Sequence, residues 1–384
     1  MDYRCQQVIF DPLFAQVFDE ALRLEASDIQ LKNESHPIFR IHGKLEKISY
    51  LPYFKDEELR KIIFQLLTPE QQKRMFVELG LDFGFTYENK SRCRANVYFN
   101  RGTIGIALRI LPMNPYSWEE LSLPDVIEKI RNLRQGLVLV TGPTGSGKST
   151  TMAAMIDDFN TLKSLNIVTV EDPIEYVFTD KKSNIIQREI GLDVRSFPEA
   201  LRYALREDPD LIFIGEMRDQ ETINSAFLAA ETGHLVLSTL HTNNSYSTVD
   251  RIVNAFPADQ QHFVRLRLSE TLKVVISQTL LPAADRKGRV VACEVMVVTP
   301  HIKDLIAEAR LDDMYSDIKN GQFNSMSTLN QSLFKLFQEG KIDRNTALSA
   351  SYRPSELEQM LKGVYNSADA FEEITNSQRG GGIV

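Results

Sequence analysis

The spacing of apolar residues in the first third of the chain predicts helices alternating with short strands. Residues 36–48 predict a strand, a turn at Gly43 and a second strand, and residues 56–76 predict a helix interrupted near Pro69. In residues 11–27, "DPLFAQVFDEALRLEAS", apolar side chains recur at helical spacing and share one face. That face consists of Phe14, Val17, Phe18, Ala21 and Leu22.

A clear two-residue alternation predicts a hairpin over residues 91–111, turning at Asn100-Arg101-Gly102. Apolar positions of both strands form one face, so Arg94 and Arg109 point away from the core with the opposite set. A solvated sheet face explains each arginine taken singly, and a functional role stays open.

In the second part of the chain, short and nearly continuous apolar runs alternate with helical segments. The runs are "GLVLVTG" (136–142), "SLNIVTVED" (164–172), "DLIFIGE" (210–216) and "HLVLSTLH" (234–241). Such strands are typical of a parallel sheet covered on both faces, so the chain is predicted to be α/β. Beyond about residue 300 the pattern becomes helical.

Breaks in this pattern divide the chain. Residues 112–124 carry three prolines and predict a linker between an N-terminal domain, 1–111, and a larger domain, 125–365, that includes C-terminal helices. Residues 366–384 lack periodicity and are predicted to be a disordered tail.

Composition narrows the class of protein. The net charge is −8 and Lys and Arg form no block, so direct nucleic-acid binding is not expected. The three cysteines, Cys5, Cys93 and Cys293, are widely separated, which argues against a disulfide framework or zinc site and favours a reducing compartment. Neither a signal peptide nor an apolar stretch of roughly 18 residues is visible, which predicts a cytoplasmic protein without a transmembrane segment.

The strongest chemical signal is "GPTGSGKST", residues 142–150, which fits G-x-x-x-x-G-K-[ST] between a predicted strand and a predicted helix. Its glycines let backbone N–H groups form an anion cradle at a helix N-terminus, so a nucleotide is the expected ligand. Lys148 can reach the β- and γ-phosphates, and the Ser149 hydroxyl can ligate Mg²⁺. The predicted binding residues of the loop are Gly142, Thr144, Gly145, Ser146, Gly147, Lys148, Ser149 and Thr150.

Acidic residues follow two of the predicted strands. Glu216 and Asp219 follow one strand, and Glu171, Asp172 and Glu175 end another. Ligand chemistry gathers at the C-terminal ends of parallel strands, and hydrolysis of a bound nucleotide needs a carboxylate there. Any one of these acids alone could be an ordinary loop residue, whereas the set predicts a hydrolytic centre.

Two histidines flank the apolar run in "ETGHLVLSTLHT", residues 231–242. On one strand His234 and His241 would lie roughly 20 Å apart and face opposite ways, which makes a metal pair the poorest interpretation. His241 ends its strand and could donate a hydrogen bond toward the γ-phosphate or its coordinating acids. His234 begins the strand, where a structural brace or a contact with a neighbouring subunit are the alternatives.

Four segments together resemble a known family. "GPTGSGKST", "VTVEDPIEY", "GEMRD" and "ETGHLVLSTLHT" are similar to the Walker A, Asp box, Walker B and His box of the type II/type IV secretion ATPases. Within that superfamily the chain looks most like the PilT-like branch, up to about residue 363. The resemblance implies a RecA-like P-loop ATPase core with an N-terminal PAS-like domain. It also implies a homohexameric ring with nucleotide between subunits.

The same resemblance assigns roles to individual positions. Glu216 takes the place of the Walker B glutamate that activates water, and Glu175, with Glu171 and Asp172, takes the Asp-box position. His234 and His241 take the His-box positions. Arg94 and Arg109 match arginines that reach the γ-phosphate. The implied Mg²⁺ ligands, direct or through water, are Ser149, Glu175 and Glu216.

The function implied is ATP-driven retraction of a type IV pilus, which powers twitching motility. The resemblance also implies peripheral attachment to the inner membrane through a pilus platform protein, and other pilus ATPases as further partners. Residues 301–310, "HIKDLIAEAR", depart from the "AIRNLIRE"-like segment associated with retraction, which leaves an accessory paralogue open. A related secretion or DNA-uptake ATPase is a second alternative. A nucleotide-sensing scaffold is a third, and the presence of Glu216 and Glu175 speaks against it.

Overall fold

The computed structural model describes residues 10–285 and 288–363; the tail predicted at 366–384 lies outside them. Its strands are β1 Ala26–Lys32, β2 Ile38–Ile41, β3 Lys44–Lys47, β4 Gly80–Tyr87, β5 Ser91–Asn100, β6 Thr103–Leu111, β7 Gly136–Thr141, β8 Asn166–Glu171, β9 Asn184–Glu189, β10 Leu211–Ile214, β11 Leu235–Leu240, β12 Leu272–Pro282 and β13 Arg289–Val297.

The helices are α1 Pro12–Arg23, α2 Asp56–Leu66, α3 Pro69–Glu78, α4 Ile127–Arg131, α5 Lys148–Leu162, α6 Phe197–Ala204, α7 Gln220–Glu231, α8 Ser245–Val253, α9 Gln261–Thr271, α10 Pro300–Ala307, α11 Met314–Asn320, α12 Leu329–Gln338, α13 Arg344–Ala350 and α14 Pro354–Leu361. Within the described residues, none of these helices combines the length and the apolar character that crossing a membrane requires.

The chain folds into two compact units. Among the described residues, the first unit consists of 10–116 and Asn160–Ala200, and the second of Ser117–Phe159, 201–285 and 288–363. The first unit thus combines the N-terminal segment with a stretch from the middle of the chain. The domain boundaries expected at residues 111 and 125 remain predictions.

In the first unit, six strands form an antiparallel sheet of order β3-β2-β1-β6-β5-β4. The predicted hairpin is confirmed: β5 and β6 pair antiparallel, and Arg101 and Gly102 at its turn both have positive φ. The register sets Arg94 of β5 opposite Arg109 of β6. These two arginines therefore lie side by side on the same face of the sheet.

The predicted first helix of this unit is also confirmed. Asp11 caps α1 by accepting a hydrogen bond from the Leu13 amide (3.0 Å), and Pro12 occupies the first turn, where no backbone donor is needed. Of the predicted apolar face, Phe14, Val17, Phe18 and Ala21 are buried, whereas Leu22 is half-buried. The interruption expected near Pro69 separates α2 from α3.

The first unit also contains the parallel pair β8 and β9, in which Glu171 is in register with Glu189. β8 is one of the predicted apolar strands and is buried along nearly its whole length. The turn that leaves β8 carries Asp172 and Glu175, so the acids expected at a strand end are there.

In the second unit, hydrogen-bonded strands follow the order β13-β12-β7-β11-β10. β7, β10 and β11 are parallel and buried along their whole length, as their continuous apolar sequences predict. β12 runs parallel to β7, and β13 pairs antiparallel with β12. The helical pattern beyond residue 300 is confirmed by α10 to α14, and the α/β class of the chain is confirmed as well.

Candidate active site

The loop between β7 and α5 has backbone geometry that depends on its glycines. Gly142, Gly145 and Gly147 have φ values of 149°, 80° and 91°, a region that other residues rarely adopt. A Cβ atom at Gly142 would lie 2.3 Å from the Gln278 carbonyl oxygen and 2.4 Å from the Ser146 hydroxyl oxygen. A side chain is thus excluded where β7 ends and the loop begins.

The polar groups of this loop suit a phosphate. Lys148 opens α5 and is buried, and its Nζ donates to the carbonyl oxygens of Gly142 (2.8 Å) and Pro143 (3.1 Å). The Ser146 hydroxyl is buried without a hydrogen-bond partner, and Ser149 is exposed in the first turn of the helix. A cation, an unsatisfied hydroxyl and a helix N-terminus together form a site that favours an anion.

The loop is braced by a residue that sequence patterns did not identify. Gln278 of β12 is buried, and its Nε2 donates to the Ser146 carbonyl oxygen at 3.1 Å. Beside it, the Thr141 hydroxyl donates to the Ser277 hydroxyl at 2.8 Å. The available signal was weak: Ser277 and Gln278 belong to a short polar run in a mainly apolar strand, and their partners lie more than 130 positions earlier in the chain.

Glu216 and His241 meet beside the loop because each follows one of two neighbouring parallel strands, β10 and β11. His241 Nε2 lies 3.3 Å from Glu216 Oε1, and His241 Nδ1 lies 3.5 Å from both Lys148 Nζ and Thr144 Oγ1. An ammonium group can only donate, so the contact with Lys148 favours the tautomer that carries its proton on Nε2, facing Glu216. Arg218 Nε donates to the second carboxylate oxygen of Glu216 at 2.8 Å.

The segment after His241 is tied to the C-terminal helices. The Ser245 amide at the start of α8 donates to Glu294 Oε1 at 2.8 Å, and the buried Glu294 also accepts from the Tyr352 hydroxyl. Burial is the main cause that raises the pKa of Tyr352, and the neighbouring carboxylate adds to it. A lone acid in the apolar run "VVACEVMVV" was the only sequence signal for this anchor.

His234 makes local contacts at the other end of β11. Its Nδ1 lies 3.0 Å from the Ala229 carbonyl oxygen and 3.2 Å from the Thr232 hydroxyl oxygen, near the end of α7. These contacts are those of a structural brace. The nucleotide-related role implied by the family resemblance stays a prediction.

In the first unit, Arg94 of β5 meets Glu175 of the turn after β8, with Nη1 and Oε1 3.2 Å apart. Arg109 lies next to Arg94 but pairs with Asp28, Nε to Oδ1 at 3.1 Å, and Arg40 approaches the other oxygen of Asp28 at 3.5 Å. The hairpin arginines expected to face away from the core therefore do so, and only Arg94 contacts a predicted site acid.

The other acids of this turn differ in environment. Asp172 is exposed, whereas Glu171 is buried and accepts from the Thr169 hydroxyl (2.7 Å) and the Gln187 amide (3.2 Å). Burial raises the pKa of Glu171 to about 7, these hydrogen bonds oppose the rise, and the charge of Glu175 adds to it.

Residues 106–343 match the family model for type II/IV secretion system proteins. The type IV pilus retraction ATPase PilT of Pseudomonas aeruginosa is 44% identical over 322 residues, which cover 84% of this chain and 93% of that protein. The type IV pilus ATPase PilU of the same organism is 35% identical over 364 residues, which cover 93% of this chain and 95% of PilU.

A crystal structure of the pilus retraction motor PilT with bound ADP matches the fold with a TM-score of 0.82 and 45% identity, covering 91% of this chain and 99% of that one. The likeness therefore includes both the sequence and the three-dimensional fold along almost the whole of each chain.

Proposed function

Because the chain belongs to the type II/IV secretion system protein family, we propose that it is an ATP-hydrolysing motor that retracts a type IV pilus. The main support for ATP hydrolysis is that His241 contacts both Lys148 and Glu216 beside the glycine-dependent phosphate loop. The pilus part is supported by nearly full-length similarity to PilT, whose name includes that activity.

We assign the nucleotide phosphates to the loop from Gly142 to Thr150, with Lys148 and the first turn of α5 as the positive elements. Mg²⁺ would neutralise phosphate charge when it is bound. Its protein ligands, direct or through water, would be Ser149, Glu175 and Glu216. Residues 10–285 and 288–363 contain no group of three or more His, Cys, Asp and Glu side chains that could hold a metal alone, so phosphate oxygens would supply much of the coordination.

Glu216 is the proposed general base. It would take a proton from the attacking water, and the His241 contact would orient the carboxylate and hold the Nε2 proton toward it. Glu175, with Glu171 and Asp172, would support metal and water from the Asp box. His234 would act indirectly, as a brace of the His-box strand.

We propose that Arg94 and Arg109 act on the γ-phosphate, where guanidinium groups stabilise charge that develops in transfer. Arg109→Ala is expected to lower kcat at least about tenfold and to change the Kd for ATP by less than about threefold. Steady-state ATPase assays and titration with a fluorescent ATP analogue measure the two quantities.

The matched control is Arg40→Ala, since Arg40 shares Asp28 with Arg109 but lies on β2. If both variants lose the same activity, release of Asp28 is the cause. Equal losses of kcat and affinity in Arg109→Ala would indicate a binding role only.

The proposed assembly is a homohexameric ring in the cytoplasm, with the nucleotide between subunits. The ring would dock peripherally at the inner membrane on a pilus platform protein, and other pilus ATPases would be further partners. Because Arg94 and Arg109 come from the N-terminal hairpin, contact with the γ-phosphate would link domain position to nucleotide state.

An accessory retraction ATPase is the second candidate. The match to PilU includes 93% of this chain, against 84% for PilT, and residues 301–310 lack the retraction-associated segment. These observations favour an accessory role, whereas the higher identity to PilT favours the main motor.

Deletion of the gene separates the two candidates. Loss of twitching together with an excess of surface pili is expected for the main motor, as scored by motility assays and electron microscopy. Normal pilus number with reduced retraction force would identify the accessory role. A deletion strain unchanged in pilus number, motility, force and DNA uptake would contradict both.

A further inference from the structure

Both backbone groups of Ile174, one residue before Glu175, are held by side chains. The Ile174 amide donates to Glu189 Oε2 at 3.1 Å. Its carbonyl oxygen accepts from Arg92 Nε (3.2 Å) and Arg92 Nη2 (3.1 Å). Two side chains, from β5 and β9, therefore determine the position of the peptide that leads into Glu175.

The two holding side chains are paired with each other and largely shielded from solvent. Their exposed fractions are 12% for Arg92 and 6% for Glu189, and Nη2 lies 3.7 Å from Oε2. Burial lowers the pKa of Arg92 and raises that of Glu189. Buried ion pairs contribute little net stability compared with apolar residues of the same size, so this pair is better explained by the geometry it imposes.

The neighbouring strand leaves room for this arrangement. A Cβ atom at Gly84 of β4 would lie 2.4 Å from Arg92 Nη2 and 3.2 Å from the Ile174 carbonyl oxygen. A side chain at position 84 would push the guanidinium group away, so glycine lets that group reach the peptide. A residue outside the turn is thus also adapted to the contact.

The same strand also reaches the acid. Arg94, two residues beyond Arg92 on the same face of β5, contacts Glu175 at 3.2 Å. One strand therefore holds the backbone before Glu175 and contacts its carboxylate. We infer that Arg92 and Glu189 are positioning residues that hold Glu175 in the geometry needed for catalysis. This inference rests on the proposed ATPase function.

The first test compares Arg92→Met with Arg60→Met, which removes another ion-paired arginine of the first unit, 2.6 Å from Asp56. Small displacements of catalytic groups cost up to about 100-fold in rate, so kcat of Arg92→Met should fall at least about tenfold. The KM for ATP should change by less than about twofold, because Arg92 is not proposed to touch the nucleotide. Arg60→Met should keep both values.

Coupling to Glu175 separates positioning from general structural damage. If Arg92 acts through Glu175, the double variant Arg92→Met/Glu175→Gln should have the kcat of Glu175→Gln alone, within about twofold. Multiplied losses in the double variant would overturn the inference.

Arg92→Met leaves the carboxylate of Glu189 buried without its cation, which could unfold the protein. Two more conservative variants therefore test the same contact. Arg92→Lys keeps the charge but loses the two-pronged donation, and kcat should fall about fivefold or more. Glu189→Gln keeps an acceptor for the Ile174 amide and should lose less activity. Wild-type kcat in folded Arg92→Lys and Arg92→Met would refute the positioning role.

Hydrogen–deuterium exchange provides a readout that does not depend on ATP turnover. Peptides covering residues 172–178 should exchange faster in Arg92→Met and Glu189→Gln than in the wild type or Arg60→Met. If the wild type fails to hydrolyse ATP, the proposed function is wrong and exchange still tests whether the pair holds the turn. Unchanged exchange would show that it does not.

Discussion

Glu216→Gln is expected to lower kcat for ATP hydrolysis by at least about 100-fold, the usual contribution of a positioned general base. Glutamine keeps the size of the side chain and an oxygen beside His241 Nε2, which lies 3.3 Å from the native carboxylate. What it lacks is the basic carboxylate, so the Kd for ATP should change by less than about threefold. Phosphate-release assays and nucleotide titration of the purified protein measure the two effects.

The control uses the other acid that follows β10. Asp219 accepts from the Thr222 amide at 2.8 Å and caps α7, and asparagine caps a helix equally well. Asp219→Asn should therefore retain nearly full activity. A similar loss in both variants would mean that the acid at position 216 has no special role. Wild-type turnover in Glu216→Gln would show that Glu216 is not the general base.

Local patterns predicted the elements that depend on neighbouring residues. Helical spacing identified α1, alternation identified the β5–β6 hairpin, and the glycine–lysine motif identified the phosphate loop. Each of these elements depends on backbone preferences and on which of its sides is apolar. A short stretch of sequence determines both properties.

Contacts between distant segments could not be predicted in this way. Two-residue spacing sets Arg92 on the same side of the hairpin as Arg94 and Arg109 but does not distinguish the three. In the structure Arg92 donates to the Ile174 carbonyl oxygen, Arg94 contacts Glu175 and Arg109 contacts Asp28. Their partners are about 80 residues away in sequence, so only strand pairing and packing select them. The same is true of Gln278, which meets the phosphate loop across 132 residues.

Sequence patterns also did not predict how all of the strands pair. The parallel strands were expected, but the antiparallel addition of β13 to β12 was not, because an apolar run does not specify the direction of its partner. That addition has a functional consequence. It brings Glu294 of β13 to the Ser245 amide, four residues after His241, and so connects the His-box segment to the C-terminal helices.

Lys148→Ala is expected to weaken ATP and ADP binding about 10- to 100-fold, since a hydrogen bond to a charged group contributes about 1.5–3 kcal/mol. Lys148 Nζ already lies against the carbonyl oxygens of Gly142 and Pro143, so the side chain is held within the loop that is to receive the phosphates. Loss of its charge should also lower kcat at least about 100-fold, because a fixed cation stabilises the transition state more than the ground state. Saturating ATP would then fail to restore turnover.

The matched control is Lys303→Ala. Lys303 is an ion-paired lysine of the same unit, 2.6 Å from Glu270, and it lies within the segment 301–310 that departs from the retraction-associated pattern. ATPase activity should be unchanged, because that segment is not part of the phosphate site. If ATP at high concentration rescues Lys148→Ala to the wild-type kcat, the lysine contributes only to binding. If Lys303→Ala loses turnover as well, the effect of Lys148→Ala cannot be assigned to the phosphate loop alone.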